Sequence, residues 1–162
     1  MQALMKALRR GAVRWLACTL ITLSMQISTL AHAQPTQACR VDGIPHELQC
    51  GSVRRALDPA RPNGAQIMVH FLVVPAVARN KQSDAVLMLA GGPGQSAIAV
   101  APMVLPRLAR LNNRRDLVFI DQRGTGRSTP VGSVIPGATA ADQAEYLTHF
   151  RADSIVRDLE LI

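Results

Sequence analysis

The stretch Val86-Leu-Met-Leu-Ala-Gly-Gly-Pro-Gly-Gln-Ser96 runs from five apolar residues directly into Gly91, Gly92, Pro93 and Gly94. Ala85 to Ala90 reads as a short strand, apolar on both faces, of the kind buried in a parallel sheet. Residues Ala97 to Leu111 have helical composition, with Pro102 and Pro106 expected to break or restart the helix. A strand that ends in a glycine cluster and passes into a helix presents its backbone closely to something at that end.

The same pattern recurs downstream. Leu117 to Ile120 is a second fully apolar strand, ended by Asp121, and "QRGTGRSTP" follows as a loop. Upstream, Ile67, Val69, Phe71 and Val73 alternate on one face of an extended run that Pro75 ends. Ser52 to Leu57 reads as a first strand, and residues 34–51 as a loop or the start of a small subdomain. Near the C-terminus, "AEYLTHFRADSIVRDLELI" reads as one amphipathic helix with Leu147, Phe150, Ile155, Leu159 and Ile162 on its apolar side. Strands alternating with helices imply an α/β fold, in which ligands bind at the carboxyl ends of the strands. Both glycine clusters fall there.

Composition bounds the function classes. The chain has 162 residues and a formal charge of +7. Lys6, Arg9, Arg10 and Arg14 carry four of the positive charges, while residues 34 onward hold 14 basic and 11 acidic side chains. That balance is an ordinary surface and gives no reason to expect a nucleic-acid partner. The basic start, the apolar "WLACTLITLSM" and the small-x-small Ala31-His32-Ala33 read as an export signal over residues 1–33, cleaved before Gln34. Residues 34–162 are then the domain, exported to the periplasm or beyond, with no stable membrane span after cleavage. In that compartment Cys39 and Cys50 read as a disulfide. A metal site is not expected, because His46 lies between the cysteines without a fourth ligand near.

The glycines admit three uses. A phosphate loop needs a Lys that "GGPGQS" lacks, and "GTGRST" does not complete a dinucleotide fingerprint. No cofactor is therefore expected. A plain turn is the second reading. The third is an oxyanion hole, in which backbone N–H groups face developing negative charge and absent side chains allow close approach. In α/β-hydrolases one donor comes from the loop after the third strand, where "AGGPG" stands.

"LAGGPGQSA" followed by "DLVFIDQRGTGRSTP" resembles the α/β-hydrolase family of prolyl aminopeptidases, in particular its exported branch related to tripeptidyl aminopeptidases. The cysteine pair and "RDLE" in the last helix resemble that branch too, and Ala90 stands where a His often precedes the glycines. The resemblance spans roughly Cys39 to Ile162. It implies the N-terminal portion of an α/β-hydrolase fold, with Gly91, Gly92, Pro93 and Gly94 as the oxyanion loop. Asp121, Gln122, Arg123, Gly124, Gly126 and Ser128 would shape the active-site mouth, Asp121 and Arg123 by hydrogen bonds and an ion pair. The implied substrate is a peptide with a free N-terminus, or a small ester or amide. A serine hydrolase also needs G-x-S-x-G, and Ser96, Ser128 and Ser133 all lack that frame. The expectation is a truncated serine peptidase, without its triad and inactive alone. A non-catalytic binding module and one half of a split hydrolase are the alternatives.

Overall fold

In a computed structural model, residues 35–92, 94–132 and 138–162 are described. The expected signal at 1–33, the cleavage point before Gln34, and Pro93 lie outside the described residues. Five strands form one mixed sheet in the order β1-β2-β3-β5-β4. They are β1 (Thr36–Cys39), β2 (Leu48–Ala56), β3 (Gln66–Val74), β4 (Ala85–Met88) and β5 (Asp116–Asp121). The first three neighbours pair antiparallel, and β3 pairs antiparallel with β5. β4 runs parallel to β5, joined to it by helix α1 (Ala97–Asn112). Helices α2 (Ala140–Leu147) and α3 (Ala152–Leu159) close the chain, with a 3₁₀ turn (Thr148–Phe150) between them.

The strand sequences place apolar side chains on both faces of the sheet. Leu48, Leu72, Val74, Leu117 and Phe119 form one buried layer with Ala97 and Ala101 of α1. Val53, Ile67, Val69, Phe71, Val118 and Ile120 form the other, against which Leu159 and Ile162 pack. β3 therefore alternates as expected only as far as Phe71, and then buries Leu72 and Val74 toward α1 as well. Phe71 lies flat over Gly51, where any Cβ would meet its ring.

Several expectations are corrected. The supposed loop at 34–51 contains β1, paired with β2 in the register Gln37↔Cys50 and Cys39↔Leu48. That pairing brings Cys39 and Cys50 to a Cα separation of 5.8 Å, and they form the disulfide. Closing so short a loop contributes about 3 kcal/mol in the chain-entropy model. The strand expected from Ser52 is β2, which begins at Leu48.

Pro102 and Pro106 do not break α1, which is continuous. Its start is fixed by Ser96, whose hydroxyl accepts from the Ala99 N–H. The Pro102 ring packs against Gly43, leaving only 3.1 Å between its Cβ and one built at Gly43. Contact with the sheet along Ala97 and Ala101 outweighs the hydrogen bonds the prolines forgo.

The long C-terminal helix is in fact two. Arg151 is extended, with φ −87° and ψ 166°, and separates the 3₁₀ turn from α3. Leu147 is 51% exposed, contrary to the proposed apolar stripe, and the buried residues of α3 are Ser154 and Asp158. The break turns α3 so that Asp158 can reach a buried arginine.

β4, apolar on both faces as its sequence reads, stands at the open edge of the described sheet. It hydrogen-bonds to β5 alone among the described strands, and Leu87 is 50% exposed. An apolar edge without charge or proline is a template for strand addition. We expect the chain to self-associate with rising concentration, and Leu87→Lys to suppress this in sedimentation velocity. Equal association in both proteins would place the contact elsewhere. Among the described residues no helix is long and apolar enough to cross a membrane.

Candidate active site

Both glycine loops leave the carboxyl ends of the parallel pair β4 and β5. In the first loop Gly92 and Gly94 have φ of 115° and 88°, a region other residues rarely enter. Gly91 differs: it is not among the positive-φ residues, and a Cβ built on it meets nothing within 4 Å. Neither backbone conformation nor packing among the described residues demands glycine at 91. Beside this loop lies an apolar cavity of about 210 Å³, lined by Met88, Ala90, Gly91, Val100, Met103 and Phe119.

The second loop is tied to the first through Asp121. The Asp121 side chain is fully buried. Its Oδ1 accepts from the Ser96 hydroxyl at 2.7 Å and from the Ile98 N–H at 3.1 Å. Its Oδ2 accepts from the Arg127 N–H at 3.0 Å. One carboxylate thus binds the first turn of α1, which follows the first glycine loop, and the turn of the second. The oxygen sits so close to Gly126 that a Cβ there would overlap it, and Gly126 also has φ 49°. Ser96, set aside above as a nucleophile, is committed to this tie and to capping α1.

Arg123 holds the other side of the loop. Its guanidinium is 2% exposed and donates from Nε and Nη2 to both oxygens of Asp158, each at 2.7 Å. Nη1 donates to the carbonyls of Leu57 and His149 at 3.0 and 2.8 Å. Arg55 adds a third contact to Asp158, from Nε at 3.1 Å. A planar fork facing a carboxylate is the strong form of this interaction. The arginine therefore joins the end of β2, the 3₁₀ turn and α3 under the loop. Gly124, at φ 83°, leaves room for the Phe150 ring 2.8 Å from where its Cβ would stand.

Gln122 contributes its carbonyl, which accepts from the Thr125 N–H and hydroxyl. Ser128 is buried, and its Oγ accepts from the His70 N–H at 2.7 Å. Thr129, at φ 47°, does the same for Met68 at 3.2 Å. β3 extends beyond its pairing with β5, and these two hydroxyls take over where β5 ends. Sequence reading missed Asp158, Arg55 and Thr129. The signal for Asp158 was its place in the "RDLE" of the last helix, which the resemblance singled out without giving it a partner. Among the described residues no three His, Cys, Asp or Glu side chains converge as metal ligands would.

No protein-family model matches the chain. Over 84 residues it is 43% identical to proline iminopeptidase of Aeromonas sobria, a match covering 47% of this chain and 18% of that protein. It is 28% identical over 162 residues to tripeptidyl aminopeptidase of Streptomyces coelicolor, covering 76% of this chain and 29% of that one. Carboxylesterase B of Mycobacterium tuberculosis is 36% identical over 84 residues, 51% of this chain and 16% of the relative. The chain thus spans less than a third of the length of these curated relatives. Its homologues are proline iminopeptidases and tripeptidyl aminopeptidases, members of the α/β-hydrolase family, and its mixed sheet with helices fits the N-terminal portion of that fold.

Proposed function

We propose that this chain is the N-terminal portion of an exported serine hydrolase of the aminopeptidase kind, supplying the oxyanion loop and the mouth of the active site. Gly91 carries the reading. It is exposed, unstrained and unopposed, so its missing side chain serves something outside the described fold. A carbonyl oxygen becoming an oxyanion is such a visitor, since it needs N–H donors at hydrogen-bond distance. Asp121 then acts as a positioning residue. By fixing the start of α1 it holds the loop ahead of it, so the donors need no reorganisation when charge develops.

The relatives' names support peptide or ester substrates. The disulfide supports an oxidising compartment. No G-x-S-x-G elbow occurs in the 162 residues, so the nucleophile must come from sequence outside them. On this reading the chain alone does not hydrolyse amides or esters.

The test is a chimaera joining residues 34–162 to the part of the Streptomyces coelicolor relative that follows its matched segment. A fluorophosphonate probe should label the chimaera and leave the chain alone unlabelled, and the chimaera should cleave chromogenic peptides with a free N-terminus. A chimaera that unfolds cooperatively yet neither labels nor cleaves would refute the proposal.

A further inference from the structure

A second cavity opens on the α1 side of the sheet, at the same end as the glycine loops. Its volume is about 500 Å³, and Gln37, Cys50, Ser52, His70 and Arg127 line it with Pro35. The sheet register explains the gathering. Ser52, His70 and Asp121 stand directly opposite one another on β2, β3 and β5, so their side chains share one face. Gln37 faces Cys50 in the next row, and Arg127 reaches over from the second glycine loop.

Four members of this set carry side-chain donors without an occupation. His70 and Arg127 use their main-chain N–H groups on Ser128 and Asp121. Among the described residues their side chains, and those of Gln37 and Ser52, make no hydrogen bond to a neighbour. Asp121 does not line the cavity, and its oxygens already accept from Ser96, Ile98 and the Arg127 N–H. The cavity therefore offers one formal cation and several neutral donors, with no free acceptor of opposite charge.

We propose that this cavity binds the carboxylate of a short peptide or organic acid, held by the Arg127 guanidinium and the His70 imidazole. A single guanidinium matches a monoanion and a planar carboxylate in both charge and shape. The volume suits a ligand of one or two residues. The site stands apart from the hydrolase reading, since it needs neither a nucleophile nor the oxyanion loop.

Proton linkage gives the site a signature. Burial and the Arg127 charge hold the imidazole of His70 below its ordinary range, against the opposing pull of Asp121. Arg54, two residues from Ser52 on the same face of β2, adds positive charge to that side. Burial and the Arg127 charge thus favour the neutral imidazole. A bound carboxylate favours the imidazolium, so binding takes up a proton and strengthens as pH falls toward the range of His70.

The experiment uses the full chain, kept monomeric by Leu87→Lys on the opposite face of the sheet. The probes are N-acetyl-dialanine and its C-terminal amide, followed by the ring resonances of His70. The acid should shift those resonances, bind more tightly at pH 6 than at pH 8, and exceed the amide by about tenfold. Arg127→Gln, which retains the main-chain N–H used by Asp121, should remove most of that preference. Equal binding of acid and amide, affinity unchanged by Arg127→Gln, or weaker binding at pH 6 would each overturn the proposal. The peptidase reading would survive any of them.

Discussion

Replacing Asp158 with Ala is expected to cost about 3–5 kcal/mol, because it leaves the Arg123 charge buried with nothing to balance it. Arg123 and Asp158 are both essentially inaccessible, at 2% and 1% exposure, so water cannot substitute for the lost carboxylate. Domains of this size hold only about 5–15 kcal/mol in total, so the midpoint of thermal unfolding should drop by more than about 10 °C. Arg123→Ala should be comparably harmful, since it strands Asp158 and frees the carbonyls of Leu57 and His149. Arg55→Ala should be much milder, because Arg55 is 24% exposed and Asp158 keeps its bidentate partner. The double replacement Arg123→Met with Asp158→Leu should be less damaging than either single change, because no charge is left behind. Thermal unfolding followed by circular dichroism measures all four. A loss below about 1 kcal/mol for Asp158→Ala would mean that water reaches the pair, as it does in surface ion pairs.

This clamp also marks where sequence reading runs out. The strands were legible because apolar runs such as Leu117–Ile120 stay apolar whichever neighbours they meet. The glycine loops were legible because their chemistry is local. Asp158 was not legible, because it sits among Arg157, Leu159 and Glu160 in what looks like an ordinary solvated helix face. Helical periodicity assigns polar residues outward, and here the buried side of α3 is polar because an arginine on a distant loop needs an anion. The same demand explains the break at Arg151: one straight helix would have to satisfy its apolar residues and Asp158 together. β1 was hidden for a different reason. Thr36–Cys39 is short and mostly exposed, and it is a strand because β2 and the disulfide hold it. At the glycine loop Gly91, Gly92, Pro93 and Gly94 had equal standing on sequence alone, and only the backbone angles separate Gly91 from Gly92 and Gly94.

That separation makes Gly91→Val the sharpest probe of the proposed chemistry. In the chimaera with a restored nucleophile, Gly91→Val should lower kcat by about 10²-fold or more, the scale of losing one oxyanion contact. The substitution leaves the main-chain N–H in place, but its side chain occupies the space the substrate oxygen must enter. Stability should change little, within about 0.5 kcal/mol, as for an exposed site without strain or close neighbours. Gly92→Val makes the contrast. At φ 115° it forces a β-branched residue into a region reserved for glycine, so it should lower stability by about 1–3 kcal/mol as well as activity. If the loop were only a turn, the order would reverse: Gly91→Val would be silent in both measurements, and all the damage at Gly92 would follow from folding. Measuring kcat and the unfolding midpoint on the same two proteins separates these cases. A fall in kcat at Gly91 with unchanged KM and midpoint is the pattern of a group that meets the transition state and supports nothing else.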